Sequence, residues 1–210
     1  MPYEAKTQRP HASSNLINPI NAMTQKRTKK NRSPSHDHQP ATVHQQQNID
    51  KAREAFLSKD YSRGFIKYCQ FKAGVIRRGY FESRVAIQEH HRQQDGFIHA
   101  GVMATMADHT AGYAAFTTVT EEFQILTIEF KINFLRPAFG KGLLCRSRVI
   151  REGSQLIISE SEVFDQREGK ETLVAKAMVT LMPVHKEKLL REKARVPLSK
   201  ERGPTPRGRA

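Results

Sequence analysis

The sequence predicts an α+β fold in which one long helix packs against an antiparallel sheet. Three features carry that prediction. Apolar and polar residues alternate in several separate segments, the period of a half-buried strand. One stretch, 100–116, breaks the alternation and is dense in alanine and glycine. Glycine-containing turns, Gly140-Lys141-Gly142, Glu152-Gly153-Ser154 and Glu168-Gly169-Lys170, separate the last segments and suit short antiparallel connections.

Taken in order, the first element is a short helix over 51–57, with Asp50 as its candidate N-cap. A strand is predicted around 69–77. From 80 to 87, Phe81, Ser83, Val85 and Ile87 share one face while Glu82 and Arg84 occupy the other. The stretch 100–116 is the long helix. Its apolar side includes Val102, Met103, Met106, Ala107 and Tyr113. Alanine is the best helix former, and small side chains let other backbones approach closely, so this helix suits a central place enclosed by the sheet. Four strands follow as an antiparallel meander, over 124–135, 143–150, 155–165 and 171–182. In the first, Leu126, Ile128, Phe130, Ile132 and Phe134 alternate with Thr127, Glu129, Lys131 and Asn133. Pro137 ends it, because proline cannot donate to a ladder. In the last, Leu173, Ala175, Ala177, Val179 and Leu181 share a face.

The folding residues are concentrated in the middle of the chain. All eleven phenylalanines fall between Phe56 and Phe164, whereas residues 1–50 have one leucine and eleven Asn plus Gln. The expected organisation is therefore a disordered basic low-complexity tail over 1–50, a folded unit over 51–183, and a basic tail over 184–210. The formal net charge is +14. Residues 1–50 hold seven basic and three acidic side chains, and 184–210 hold nine and three, so most of the excess lies in the tails. Those tails lack the interleaved aromatics that stack on bases, so no specific nucleic-acid partner is expected. No apolar run is long enough for a membrane span, and the start lacks the apolar core of a secretory signal. Two cysteines, Cys69 and Cys145, cannot make a disulfide framework. A cytoplasmic protein is the expectation.

The chemistry points to the entrance of the long helix. Gly96 and Gly101 permit tight backbone geometry there, and the first helical amides lack intrahelical acceptors at the positive end of the dipole. Such an amide can stabilise an oxyanion as a carbonyl becomes tetrahedral, and Ala100 N–H is the best placed. Asp108 lies on a small-residue face with Ala104, Ala111 and Ala115. At 1.5 Å per residue it stands roughly 12 Å along the axis from Ala100. If the two cooperate, the carboxylate must come from another subunit, as a two-fold dimer with antiparallel helices would arrange. Cys69 and Cys145 read as small core residues, and Ser154 has no G-x-S-x-G context. Asp95, His99, Asp108, His109, His90 and His91 match no metal-binding spacing, so no metal is expected.

The run Gly96-Phe97-Ile98-His99-Ala100-Gly101-Val102-Met103-Ala104-Thr105-Met106-Ala107-Asp108, with Ile128-Glu129-Phe130-Lys131-Ile132-Asn133-Phe134-Leu135-Arg136-Pro137-Ala138 downstream, resembles the PaaI-type acyl-CoA thioesterases of the hotdog superfamily. The match covers about 65–183. The resemblance implies an antiparallel sheet wrapped around one long helix, in dimers often paired into homotetramers. It implies hydrolysis of acyl-CoA thioesters to free acid and CoA, with no cofactor beyond the CoA of the substrate. It makes Asp108 the catalytic carboxylate, and His99 with Ala100 the pair that places the oxyanion donor. It makes Gln93 the residue that orients the carbonyl or water, and Thr127 the hydroxyl that helps hold water and Asp108. Ala100 stands where the family more often has glycine, a variant that keeps the backbone donor. Ser154 follows Gly153 where the family often has a basic residue. Arg136, Lys141 and Arg151 are therefore the candidate basic contacts to CoA, and Gly101 is a further candidate substrate contact.

Two other readings remain open on the residues. One is a non-catalytic acyl-CoA-binding or regulatory protein, which the basic tails invite. Residues 1–50 lack the periodicity of a helix-turn-helix. The other is a dehydratase of the same superfamily, whose motifs are not found here. The acyl group is not specified by the sequence.

Overall fold

The structure is a computed structural model, and it describes residues 48–195. The expected N-terminal tail lies almost wholly outside the described residues, as does the part of the C-terminal tail beyond Arg195. The described chain runs α1 (Lys51–Tyr61), α2 (Phe65–Cys69), β1 (Lys72–Arg77), β2 (Tyr80–Ala86), α3 (Ala100–Phe116), β3 (Phe123–Phe134), β4 (Gly142–Glu152), β5 (Ile157–Arg167), β6 (Lys170–His185) and α4 (Lys186–Arg195). The fold class is α+β, as the sequence predicts.

α1 begins where the capping argument places it. The Asp50 carboxylate accepts from Arg53 N–H at 2.9 Å, and α1 runs on to bury Leu57 and Tyr61 fully. The strand expected around 69–77 begins only at Lys72. Before it, Phe65–Cys69 forms one helical turn, and Gln70 closes that turn in the left-handed conformation at φ 59°. Beyond 183 the chain does not turn at once into a tail: β6 continues to His185, and α4 then carries an exposed Leu190.

One six-stranded antiparallel sheet has the order β1-β2-β4-β5-β6-β3. The meander expected for the last four strands is therefore corrected. β3 pairs with β6 and not with β4, so β4-β5-β6 form the meander and β3 occupies the far edge. The crossover from β2 through α3 to β3 spans the sheet, and α3 packs against one face of it, touching β2 to β6. Among the described residues the outer edge of β3 is unpaired.

α3 is held close. Met106, Ala107, Ala111, Ala114 and Ala115 are fully buried. Sheet hydroxyls meet the helix backbone directly: Ser161 Oγ donates to Ala107 O at 2.7 Å, and Ser147 Oγ shares a 2.6 Å bond with Ser161 Oγ. Thr110 Oγ1 donates to Met106 O at 2.6 Å and lies 2.7 Å from Ser83 Oγ and 3.1 Å from the Tyr61 hydroxyl. Buried polar groups satisfied in this way tolerate the interior and fix the helix position. At the other end of α3, the Arg53 guanidinium donates to Phe116 O at 2.9 Å, a cation on the negative end of the helix.

A bulge in β3 decides what the site contains. Thr127 pairs with Leu181, but Glu129 pairs with Thr180, so Ile128 is the extra residue. Directly paired residues share a face. Thr127 therefore sits on the helix side opposite buried Leu181, and beyond the bulge Phe130, Ile132 and Phe134 take that side opposite Val179, Ala177 and Ala175. The single apolar face predicted from Leu126 to Phe134 is corrected accordingly: Leu126 pairs with Met182 on the outer face. The outer face of the central strands is ionic instead. Arg146 pairs with Glu82 and Glu171, Arg148 with Glu160, and Lys176 with Glu160 and Glu162.

Candidate active site

The approach to α3 is a tight turn. Gln93 N–H donates to Phe97 O at 2.8 Å and Gly96 N–H to Gln93 O at 3.0 Å, with Gly96 at φ +79°, a conformation glycine adopts without strain. His99 is the N-cap, and its Nδ1 accepts from Gly101 N–H at 2.9 Å. His99 N–H donates to His91 O at 2.9 Å, and Val102 N–H to His99 O at 3.0 Å. Of the first-turn amides, Ala100 N–H is thus the one with no acceptor among the described residues. It lies at the positive end of a 17-residue helix. The Gly101 amide, by contrast, is occupied by the His99 ring.

Gln93 and Ala100 line a common cavity of about 390 Å³ with Phe97, Met103, Phe134 and Arg136. Arg136 Nη1 donates to Leu173 O at 3.0 Å, which fixes the guanidinium at the cavity margin. Lys141 and Arg151 are not brought there. They bracket β4 at opposite ends, roughly 30 Å apart at the rise of an extended strand. Within one subunit they cannot serve one site together.

Asp108 stands apart from this cavity, as the helix rise requires. It is half-buried between α3 and β3, and its Oδ1 accepts from Thr127 Oγ1 at 2.8 Å. It lines a groove of about 500 Å³ with Ala104, His109, Phe130, Phe65 and Ile66, and a smaller one of about 220 Å³ with Gln124 and Thr127. The structure therefore joins the candidate residues into two groups: Gln93, His99 and Ala100 at one end of α3, and Asp108 with Thr127 two turns on.

The sequence offers His109 only as a metal-ligand candidate. Its Nε2 donates to Tyr61 O at 3.0 Å, and its ring rests against Tyr61 and Tyr113. Burial pushes its pKa below the ordinary 6.5, against the weaker pull of that hydrogen bond and of Asp108. The ring beside Asp108 is thus neutral near pH 7. Burial also pushes the Cys145 thiol up to about 11, so it is not a thiolate nucleophile near neutrality. Among the described residues no group of three or more His, Cys, Asp or Glu could hold a metal ion, and no helix is long and apolar enough to cross a membrane.

Comparison with known proteins places this arrangement. The family model described as thioesterase superfamily matches residues 95–172, which hold the α3 turn, Asp108 and Thr127. A protein of Saccharolobus solfataricus, provisionally named an esterase, is 32% identical over 130 residues, 62% of this chain and 88% of its own length. The chain belongs to the thioesterase superfamily. A crystallised thioesterase family protein from Silicibacter pomeroyi is 32% identical, superposes with a TM-score of 0.60, and is covered over 98% of its length by 62% of this chain. The PaaI protein from the phenylacetic acid degradation operon of E. coli, 18% identical with a TM-score of 0.52 over 63% of this chain and 90% of its own, shares the fold. The sheet wrapped around α3 is the hotdog fold that the sequence resemblance implies.

Two residues that brace the segments flanking the Ala100 cavity are missed by the sequence reading. Arg92 donates to Gly96 O at 2.8 Å and Gly140 O at 3.1 Å, and fully buried Asp165 accepts from Phe139 N–H at 3.1 Å and Gly140 N–H at 2.9 Å. Their partners are distant in sequence, and no local spacing announces them.

Proposed function

We propose that the protein hydrolyses acyl-CoA thioesters to free acid and CoA at centres that each draw on two subunits. The carbonyl oxygen of the thioester rests on Ala100 N–H, in the cavity shared with Gln93. The partner subunit's Asp108, held by a threonine hydroxyl as Thr127 holds Asp108 here, either activates water or attacks the carbonyl carbon to give a mixed anhydride, which water then hydrolyses to the free acid and the carboxylate. Negative charge develops on the oxygen against the amide and the helix dipole, the C–S bond breaks, and the CoA thiolate leaves.

One observation carries this reading. The single acceptor-free amide of the α3 entrance and the one carboxylate of α3 stand eight residues apart on a continuous helix. That is roughly 12 Å, beyond the hydrogen-bond reach that one reacting carbonyl allows. A two-fold operation that sets two α3 helices antiparallel brings each amide towards the other chain's carboxylate. The β3 edge supports such pairing. It is twelve residues long, unpaired among the described residues, and exposes Ile128, Phe130 and Phe134. Long exposed apolar edges are covered in stable proteins. Arg136, at the cavity margin, is the cation best placed for a CoA phosphate.

The test is hydrolysis of a panel of short, medium, long and aryl-acetyl CoA esters by the wild-type protein and by Asp108→Asn. Turnover of at least one ester, lost by orders of magnitude in a folded, dimeric Asp108→Asn, is the expected result. Binding of acyl-CoA without turnover by the wild type would favour a regulatory acyl-CoA-binding protein. Full turnover by Asp108→Asn would remove Asp108 from the chemistry.

A further inference from the structure

The cavity that holds Ala100 and Gln93 has two walls from distant parts of the chain, and one side chain ties them together. The first wall is the 93–99 turn leading into α3. The second is formed by residues 134–138, from which the chain runs on through Gly140 to β4. Arg92 Nη1 donates to Gly96 O at 2.8 Å, in the turn of the first wall, and Nη2 donates to Gly140 O at 3.1 Å, in the loop that continues the second. A backbone bond runs beside it, Ile98 N–H to Ala138 O at 2.7 Å. Arg92 also forms an isolated antiparallel bridge with Ile98, so the backbone that bears the guanidinium belongs to the turn it holds.

That loop is itself anchored from below. Asp165, on β5, has no exposure, and its two oxygens take the Phe139 and Gly140 amides. Arg167 Nε closes on the same carboxylate at 3.0 Å, and its Cζ lies 3.7 Å from the centre of the Phe139 ring. Phe139 meets Phe97 edge-on, with ring centroids 6.1 Å apart, so the loop also touches the turn through their rings. Gly140 has no room for a side chain: a Cβ there would overlap Asp165 Oδ1 and the Gln166 carbonyl. The loop is thus fixed to the sheet, and the turn is fixed to the loop. A forked guanidinium with two donors at a set angle is what holds two carbonyls on separate segments; an ammonium is a point charge with no such fork.

We infer that Arg92 is a positioning residue for the Ala100 N–H donor, with Asp165 fixing the loop on which Arg92 pulls. The inference rests on the reading of Ala100 as the oxyanion donor. Its consequence is geometric: when the tie is cut, the 93–99 turn loosens and the amide no longer points steadily at the carbonyl oxygen. The transition state loses more than the ground state, because its charge is what the amide meets.

The experiment compares wild type, Arg92→Lys and Arg92→Met, with Asp165→Asn as an independent cut that preserves volume. Steady-state kinetics on the best CoA ester are read beside backbone amide exchange of the peptides spanning 93–101 and 138–141. Arg92→Met is expected to lose kcat on the order of tenfold or more, with KM changed less than about twofold, since small misplacements are costly near the reacting atoms. Arg92→Lys is expected to lose less, and both peptides are expected to exchange faster in Arg92→Met. Asp165→Asn is expected to show the same kcat-dominated loss. If Arg92→Met does not fold, Arg92→Lys and Asp165→Asn carry the comparison. A folded Arg92 variant with wild-type kcat, or with unchanged exchange in both peptides, overturns the inference. A wild type that hydrolyses no thioester overturns the proposed function instead, and the exchange comparison still decides whether Arg92 holds the turn.

Discussion

Replacing Thr127 by valine tests the local geometry around Asp108 with little disturbance elsewhere. Valine keeps the shape and the β-branch that suits a strand, and removes only the hydroxyl. That hydroxyl donates to Asp108 Oδ1 at 2.8 Å. Hydrogen bonds to charged groups contribute about 1.5–3 kcal/mol, and the open setting of this one places it near the lower figure. A loss of about 1.5 kcal/mol from the transition state is roughly tenfold in rate. The expected outcome is a fall in kcat on the order of tenfold for Thr127→Val, a KM close to wild type, and recovery in Thr127→Ser. The assay is release of free CoA thiol from the preferred ester at saturating concentration, with thermal unfolding as the control for folding. A valine variant with full kcat would refute the reasoning, and so would a serine variant as slow as the valine one.

Other outcomes follow from packing and charge. Asp50→Ala removes the cap on α1 and should lower unfolding stability by about 1 kcal/mol, read by urea denaturation. His91 and His109 both have pKa values held below 6.5 by burial, so the unfolded chain binds protons more readily than the folded one. Their contribution to stability is complete above pH 6.5 and is lost as pH falls below it, so melting temperature should drop on acidification from pH 7 to 5. His109→Asn should reduce that drop, and an identical slope in the variant would contradict the assignment. Because burial raises the Cys145 thiol to about 11, alkylation of the native protein at pH 8 should spare Cys145 and reach it only after denaturant is added.

The long helix is the element most openly written in the sequence. Its small residues and abrupt loss of alternation place it at 100–116, and α3 has those bounds. The separation of Ala100 from Asp108 follows from helix rise alone. The bulge at Thr127–Glu129 was hidden because apolar residues at 126, 128 and 130 continue the alternation through it. Without the bulge, Thr127 and Phe130 could not both face α3. α2 was hidden for a different reason: five mostly apolar residues do not distinguish one helical turn from a strand. The β3–β6 pairing and the Arg92 and Asp165 contacts join residues far apart in the chain, which no window of periodicity reports.

The shared centre is tested most directly by mixing two inactive proteins, Asp108→Ala and Ala100→Pro. Proline is well tolerated at the first position of a helix, where its missing N–H has no intrahelical partner. His99 at φ −62° and ψ 134° already has the extended backbone that precedes proline. Ala100→Pro should therefore delete the donor and leave α3 intact. Each mixed dimer would join one intact amide to one intact carboxylate, so a purified mixed dimer should hydrolyse thioester at about half the wild-type rate. Activity in the mixed dimer no higher than in the two parents would show that amide and carboxylate act within one chain, and would contradict the account.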